Sequence, residues 1–140
     1  MAVRFGINPI SWSNDDLPEL GGHIPLETCL AEARQAGFTG IELGRKFPRE
    51  PGMLAETLKR FDLALVSGWY STSLLLNDVD AELRAVRGHA DLLLALGCDV
   101  IILAETSNAI HGDRSAPLSG SPRLEPDKMR LLAGRLTELS

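Results

Sequence analysis

Cysteine and net positive charge are both scarce in this 140-residue chain, and no long apolar run interrupts it. Its 14 basic against 19 acidic residues leave a net charge of −5. The basic face that a nucleic acid or an anionic membrane surface would require is therefore not expected. The longest apolar stretches, Leu92 to Leu96 and Val100 to Ala104, fall far short of the roughly 20 residues that cross a bilayer. No basic region followed by an apolar core opens the chain, so no secretory signal is read there. The two cysteines, Cys29 and Cys98, stand far apart in apolar settings without a CxxC or Cys/His cluster. They read as reduced, buried thiols of a cytoplasmic protein. GxGxxG after the first strand, GxxxxGK[ST] and GxSxG are all missing, which removes the usual support for a nucleotide-binding sheet or a serine hydrolase.

What the chain does have is alternation. With 44% hydrophobic residues it can bury a core, and short β-type runs take turns with helical patterns. The first strand is read at Arg4 to Ile10. A helix starting near Pro25 follows, with Leu26, Cys29, Leu30 and Ala33 on one face and Gly37 past its end. Gly40 to Gly44 is the second strand, Gly52 to Phe61 a helix with Leu54, Leu58 and Phe61 aligned, and Leu63 to Gly68 the third strand. A third helix runs from a cap at Asn77/Asp78 to about Leu96, with Val79, Leu83, Val86 and Ala90 as its apolar face and Gly97 as its stop. Val100 to Ala104 reads as a fourth, doubly covered parallel strand. A fourth helix begins near Pro126, with Met129, Leu132 and Leu136 in register.

The phrase Ala36-Gly37-Phe38-Thr39-Gly40-Ile41 returns as Leu96-Gly97-Cys98-Asp99-Val100-Ile101. Repeated βα units imply parallel strands joined by right-handed crossovers. A small open sheet and a (β/α)8 barrel both fit, but a barrel takes eight units and about 250 residues. Ser140 falls at or inside the fourth helix without a stop signal. The reading preferred here is an α/β chain of four βα units, residues 1–140 forming a single domain that is the N-terminal half of a (β/α)8 TIM barrel.

In such folds the loops after the C-terminal strand ends build the site, and polar residues gather there. Asn8, Trp12 and Asp15/Asp16 follow the first strand, and the two aspartates read as solvent-facing. Glu42 alternates with Ile41 and Leu43, so it faces the barrel interior, either as a site carboxylate or in an ion pair with Arg45 or Lys46. Trp69 follows the third strand, and Glu105 ends the fourth, with His111 just beyond. Asn8 either caps the turn with Pro9 or offers its amide to a substrate hydroxyl. Trp12 and Trp69 either close the mouth by packing or stack on the C–H faces of a sugar ring. His111 suits acid/base work or a plain surface position. His89 reads as a helix packing residue and His23 as part of a helix N-terminal turn. No spacing within the chain makes a complete metal site. The residues point to a polar, acid-rich cleft for a neutral polyhydroxylated molecule, without fixing a reaction.

The strings GINPISWSNDDLPELGG, GIELGRKFP, SGWYS and ILAETSNAIHGD strongly resemble the inosose dehydratase family, within the xylose-isomerase-like superfamily of TIM barrels. GIELG alone recurs across that superfamily, but the longer loop strings are specific, and the resemblance runs from Gly6 into the fourth helix. It implies a hydro-lyase that removes water from 2-keto-myo-inositol to give a trihydroxycyclohexane-dione in myo-inositol catabolism. It also implies a divalent cation, manganese or cobalt, with ligands expected beyond residue 140, so no metal ligand is assigned in this chain. Carried over by motif position are Glu42, Glu105 and His111 as catalytic candidates, and Asn8, Trp12, Lys46 and Trp69 as substrate-side groups. A ketose isomerase or epimerase of the same superfamily and a non-catalytic sugar-binding fragment are the alternatives. The partner expected is a small polyol ketone, with no nucleic acid and no membrane. The chain alone is expected to be inactive and to self-associate, as a homo-oligomer or through open sheet edges.

Overall fold

A computed structural model describes residues 3–140. The strands are β1 (Gly6–Ile7), β2 (Gly40–Leu43), β3 (Ala64–Thr72) and β4 (Ile101–Glu105). The helices are α1 (Leu26–Gln35), α2 (Pro51–Arg60), α3 (Val79–Ala95) and α4 (Pro126–Leu139). They alternate along the chain, and the four strands form one parallel sheet in the order β1-β2-β3-β4. Each strand is added on the same side as the last. With right-handed crossovers, such an order sends the connecting helices to one face of the sheet, as in a (β/α)8 barrel; a doubly wound sheet reverses direction and is covered on both faces.

The core agrees with this winding. Leu30 and Ala33 of α1, Leu54 and Leu58 of α2, and Leu92 and Leu93 of α3 pack with Ile41, Leu43 and Leu65 of the sheet. On the other face, Gly6 and Ala64 are exposed and Val66 is 38% exposed. The architecture is that of half a (β/α)8 barrel, with its inner face open. The described residues fall into two compact units: the chain up to Trp69 with His89–Ile102, and Tyr70–Gly88 with Leu103–Ser140.

Several boundaries depart from those read in the sequence. β1 is only two residues long, because the Asn8 side chain caps a 3-10 turn at Pro9–Ser11 and takes the chain out of the sheet. β3 runs on to Thr72, so Trp69 stands in a strand and not in the loop expected for it. On α3 the buried stripe is Val79, Glu82, Val86, His89 and Leu93, at alternating spacings of three and four, and Leu83 is 42% exposed. Two of its members are polar, and that is why a hydrophobic pattern pointed to the neighbouring face. α4 buries none of its residues, and Met129 and Leu136 are 57% and 38% exposed. Gly37 and Gly97 do stop their helices in the left-handed region, at φ of 93° and 71°.

Candidate functional site

Glu42 lies on the inner face of β2, 7% exposed. A bulge brings it a partner. Ile41 pairs with Leu65 but Glu42 pairs with Ser67, so Val66 is an extra residue in β3. The Ser67 hydroxyl consequently points the same way as Glu42 and donates to Oε2 at 2.7 Å. Asn8 Nδ2 donates to Oε1, and the amide cannot be turned over, because Asn8 Oδ1 accepts from the Ile10 N–H at 2.8 Å. Neutral donors alone thus hold this buried carboxylate. The alternative ion pair does not form: Arg45 meets Asp15, whose Oδ2 accepts from the Arg45 N–H at 2.9 Å.

Lys46 is spent on the connection after β1. Its Nζ donates to the carbonyl oxygens of Gly21, at 2.9 Å, and Ile24. Trp12 is half-buried against the core, and its indole N–H donates to Glu32 of α1 at 2.5 Å. Asp15, Lys46 and Trp12 together pin the Gly6–His23 stretch as a wall built from its own contacts. Trp69 is 53% exposed on β3.

In the second unit, Glu105 closes the end of β4. Its Oε2 accepts from the Leu74 N–H at 2.6 Å and the Thr72 hydroxyl at 3.1 Å, and its Oε1 accepts from the Ser107 N–H at 2.8 Å. Burial pushes its pKa up, but the hydrogen bonds from Ser107, Leu74 and Thr72 together outweigh that and hold it below the ordinary value. Beside it Glu82, 3% exposed, accepts from Asn77 Nδ2 at 2.7 Å. His111 is exposed in the loop beyond β4.

The sequence reading named Asn8 and Glu42, which the structure joins, but not Ser67. The signal for Ser67 is the bulge, and a bulge leaves no mark in a single sequence. Manganese or cobalt does not fit the residues present: no three His, Cys, Asp or Glu side chains that could hold a metal ion gather among the described residues. A groove of about 700 Å³ lies at the opposite ends of the strands, lined among others by Arg4, Lys59 and Asp62. Asp62 is already paired with Arg34 at 2.7 Å, and the groove holds no convergent carboxylates. No described helix is long and apolar enough to cross a membrane.

Singly wound βα units, with a held carboxylate at the C-terminal end of β2, define a chain of the (β/α)-barrel class. No family model matches it. It is 44% identical over 140 residues to the rhizopine catabolism protein MocC of Rhizobium meliloti, covering all of this chain and 43% of that protein. It is 40% identical over 116 residues to the inosose dehydratase of Geobacillus thermodenitrificans, 83% of this chain and 39% of the enzyme. To the inosose dehydratase of Clostridium perfringens it is 36% identical over 138 residues, 98% of this chain and 46% of that enzyme. The chain is therefore a relative of the inosose dehydratases and MocC, as its loop strings indicate. It spans less than half the length of these curated relatives.

Proposed function

We propose that this chain supplies one side of the catalytic mouth of an inosose-dehydratase-type hydro-lyase acting on 2-keto-myo-inositol. The observation that carries the reading is Glu42, a buried carboxylate held by Asn8 and Ser67 and by no cation. A carboxylate offers about four acceptor positions, so two donors leave it capacity to accept from a substrate hydroxyl or take a proton. Asn8 has a second amide hydrogen to donate. An adjacent donor and acceptor suit a cyclic polyol, whose neighbouring hydroxyls both give and accept.

The ketone acidifies the adjacent C–H. Glu42 is the group proposed to remove that proton, and the β-hydroxyl then leaves with a proton from an acid. His111, an exposed imidazole, is the candidate for that second role. Glu105, with three donors from its own surroundings, is proposed to shape the mouth after β4. Trp12 and Lys46 are proposed to act through the wall they hold, and Trp69 to offer an aromatic face. The residues of this chain give a metal no ligand set, so none of these steps is routed through one.

The test uses the native-length polypeptide containing this chain. Incubated with 2-keto-myo-inositol, with and without manganese or cobalt, it should generate the ultraviolet absorbance of a conjugated dione. Glu42→Gln should lower kcat by about a hundredfold or more. Interconversion of ketoses without that absorbance would overturn the reading in favour of an isomerase or epimerase. The 44% identity to MocC over the whole chain favours a second reading, in which the same site serves rhizopine catabolism. A deletion strain that loses growth on rhizopine but keeps growth on myo-inositol would select it.

A further inference from the structure

We propose that His89 of α3 is a positioning residue for Glu42, acting through Gly68 and Ser67 of β3. The inference rests on reading Glu42 as the reacting carboxylate.

Ser67 reaches Glu42 only because of the bulge at Val66. Without the extra residue, strict alternation would turn Ser67 to the helix-packed face, where Leu65 lies. Something must hold β3 in that register just past the bulge. The next residue, Gly68, pairs with Leu43, and its missing side chain leaves room for α3. A Cβ at Gly68 would lie 2.8 Å from His89 Nε2 and 2.9 Å from Leu93 Cδ2. The imidazole therefore sits directly against the backbone at Gly68, on the face of β3 opposite Ser67. The bulge aims the hydroxyl, and the imidazole backs it.

The ring suits this post. Burial lowers its pKa, and the charge of Arg49 adds to that; contact with the Gly68 backbone opposes it. A neutral imidazole can lie against a strand without bringing an uncompensated charge into the core. His89 also falls on the buried stripe of α3, between Val86 and Leu93, at a position where an aliphatic residue would serve packing alone. A polar residue there is explained by the strand it touches.

Kinetics on the native-length protein separate positioning from bulk packing. His89→Ala and Ser67→Ala should each lower kcat about tenfold with little change in KM. The double variant should be no slower than Ser67→Ala, because both changes break one chain of contacts. Gly68→Ala should also lower kcat, and adding His89→Ala should restore part of the loss by making room for the methyl. Leu54→Ala, a fully buried core change on α2, should lower Tm while leaving kcat unchanged. Multiplying losses in the His89/Ser67 double variant would overturn the proposal, as would a Leu54→Ala loss in kcat equal to that of His89→Ala. If the wild-type protein does not dehydrate inosose, the dehydratase reading falls, and amide hydrogen exchange then decides the positioning role. Faster exchange from Val66 to Gly68 in His89→Ala than in Leu54→Ala supports it; equal exchange in the two overturns it.

Discussion

Glu105 shows how a single carboxylate can hold a loop. Its oxygens accept from two backbone N–H groups and one hydroxyl, and its carboxyl is held below the ordinary pKa. A group whose pKa is depressed on folding contributes stability above its unfolded value, about 4.3 for glutamate. That contribution is lost as the pH falls through the folded value. Glu105→Gln should therefore cost about 1–2 kcal/mol at pH 7, given its partial exposure. Thermal melts from pH 7 down to pH 3 should show the deficit shrinking at the acid end; a deficit constant with pH would count against the hydrogen-bond account. At this scale the sequence was legible where a residue broke its own pattern. Glu42 stood out as a charge between Ile41 and Leu43, and its inward direction follows from strand alternation alone. Its partners did not stand out. Asn8 lies 34 positions away and Ser67 25 positions away, and only the sheet register brings them together. Lys46 had the right neighbourhood, but its reach to two backbone carbonyls depends on how the Gly21–Ile24 turn folds.

Elements were legible where burial was purely apolar. α1 and α2 bury the faces their spacing predicts, Cys29, Leu30 and Ala33 on one and Leu54 and Leu58 on the other. α3 differs because Glu82 and His89 share its buried stripe with Val79, Val86 and Leu93, and polar residues are silent in a hydrophobic count. The length of β3 was hidden for a similar reason, since Ser67-Gly68-Trp69-Tyr70-Ser71 reads as a turn until the neighbouring strands pair with it. Tight packing between strands offers a direct test of the bulge. A Cβ on Gly40 would stand 2.3 Å from Val66 Cγ1, closer than two carbon atoms can approach. Gly40→Ala should destabilise the protein by about 1–3 kcal/mol through overpacking. Adding Val66→Ala removes the obstructing methyl and should recover most of that loss. Urea denaturation of the two single variants and the double variant checks the expectation, and a double variant no better than Gly40→Ala would show that Val66 does not occupy the space beside Gly40.

For the molecule as a whole, the direction of winding matters more than the number of elements. Strands added always on one side, joined by right-handed crossovers, leave the inner face to be filled by other strands of a closed barrel. Four strands leave theirs open. Val66, Trp69, Val100 and Ile102 are 38%, 53%, 47% and 36% exposed. α4 adds Met129 at 57% and Leu131 at 44%, on a helix that buries no residue. Unpaired strand edges and exposed apolar side chains in this quantity favour association. The 140-residue polypeptide produced by itself should therefore sediment as species larger than its 15.2 kDa monomer and should form no dione from 2-keto-myo-inositol. Replacing exposed apolar residues by charged ones, as in Val66→Lys with Leu131→Lys, should shift the sedimentation toward monomer without restoring activity, because solubility does not supply the rest of a catalytic mouth. A wild-type polypeptide of this length that sediments as a monomer at about 10 µM and turns over inosose would show that four βα units close a working site without further strands.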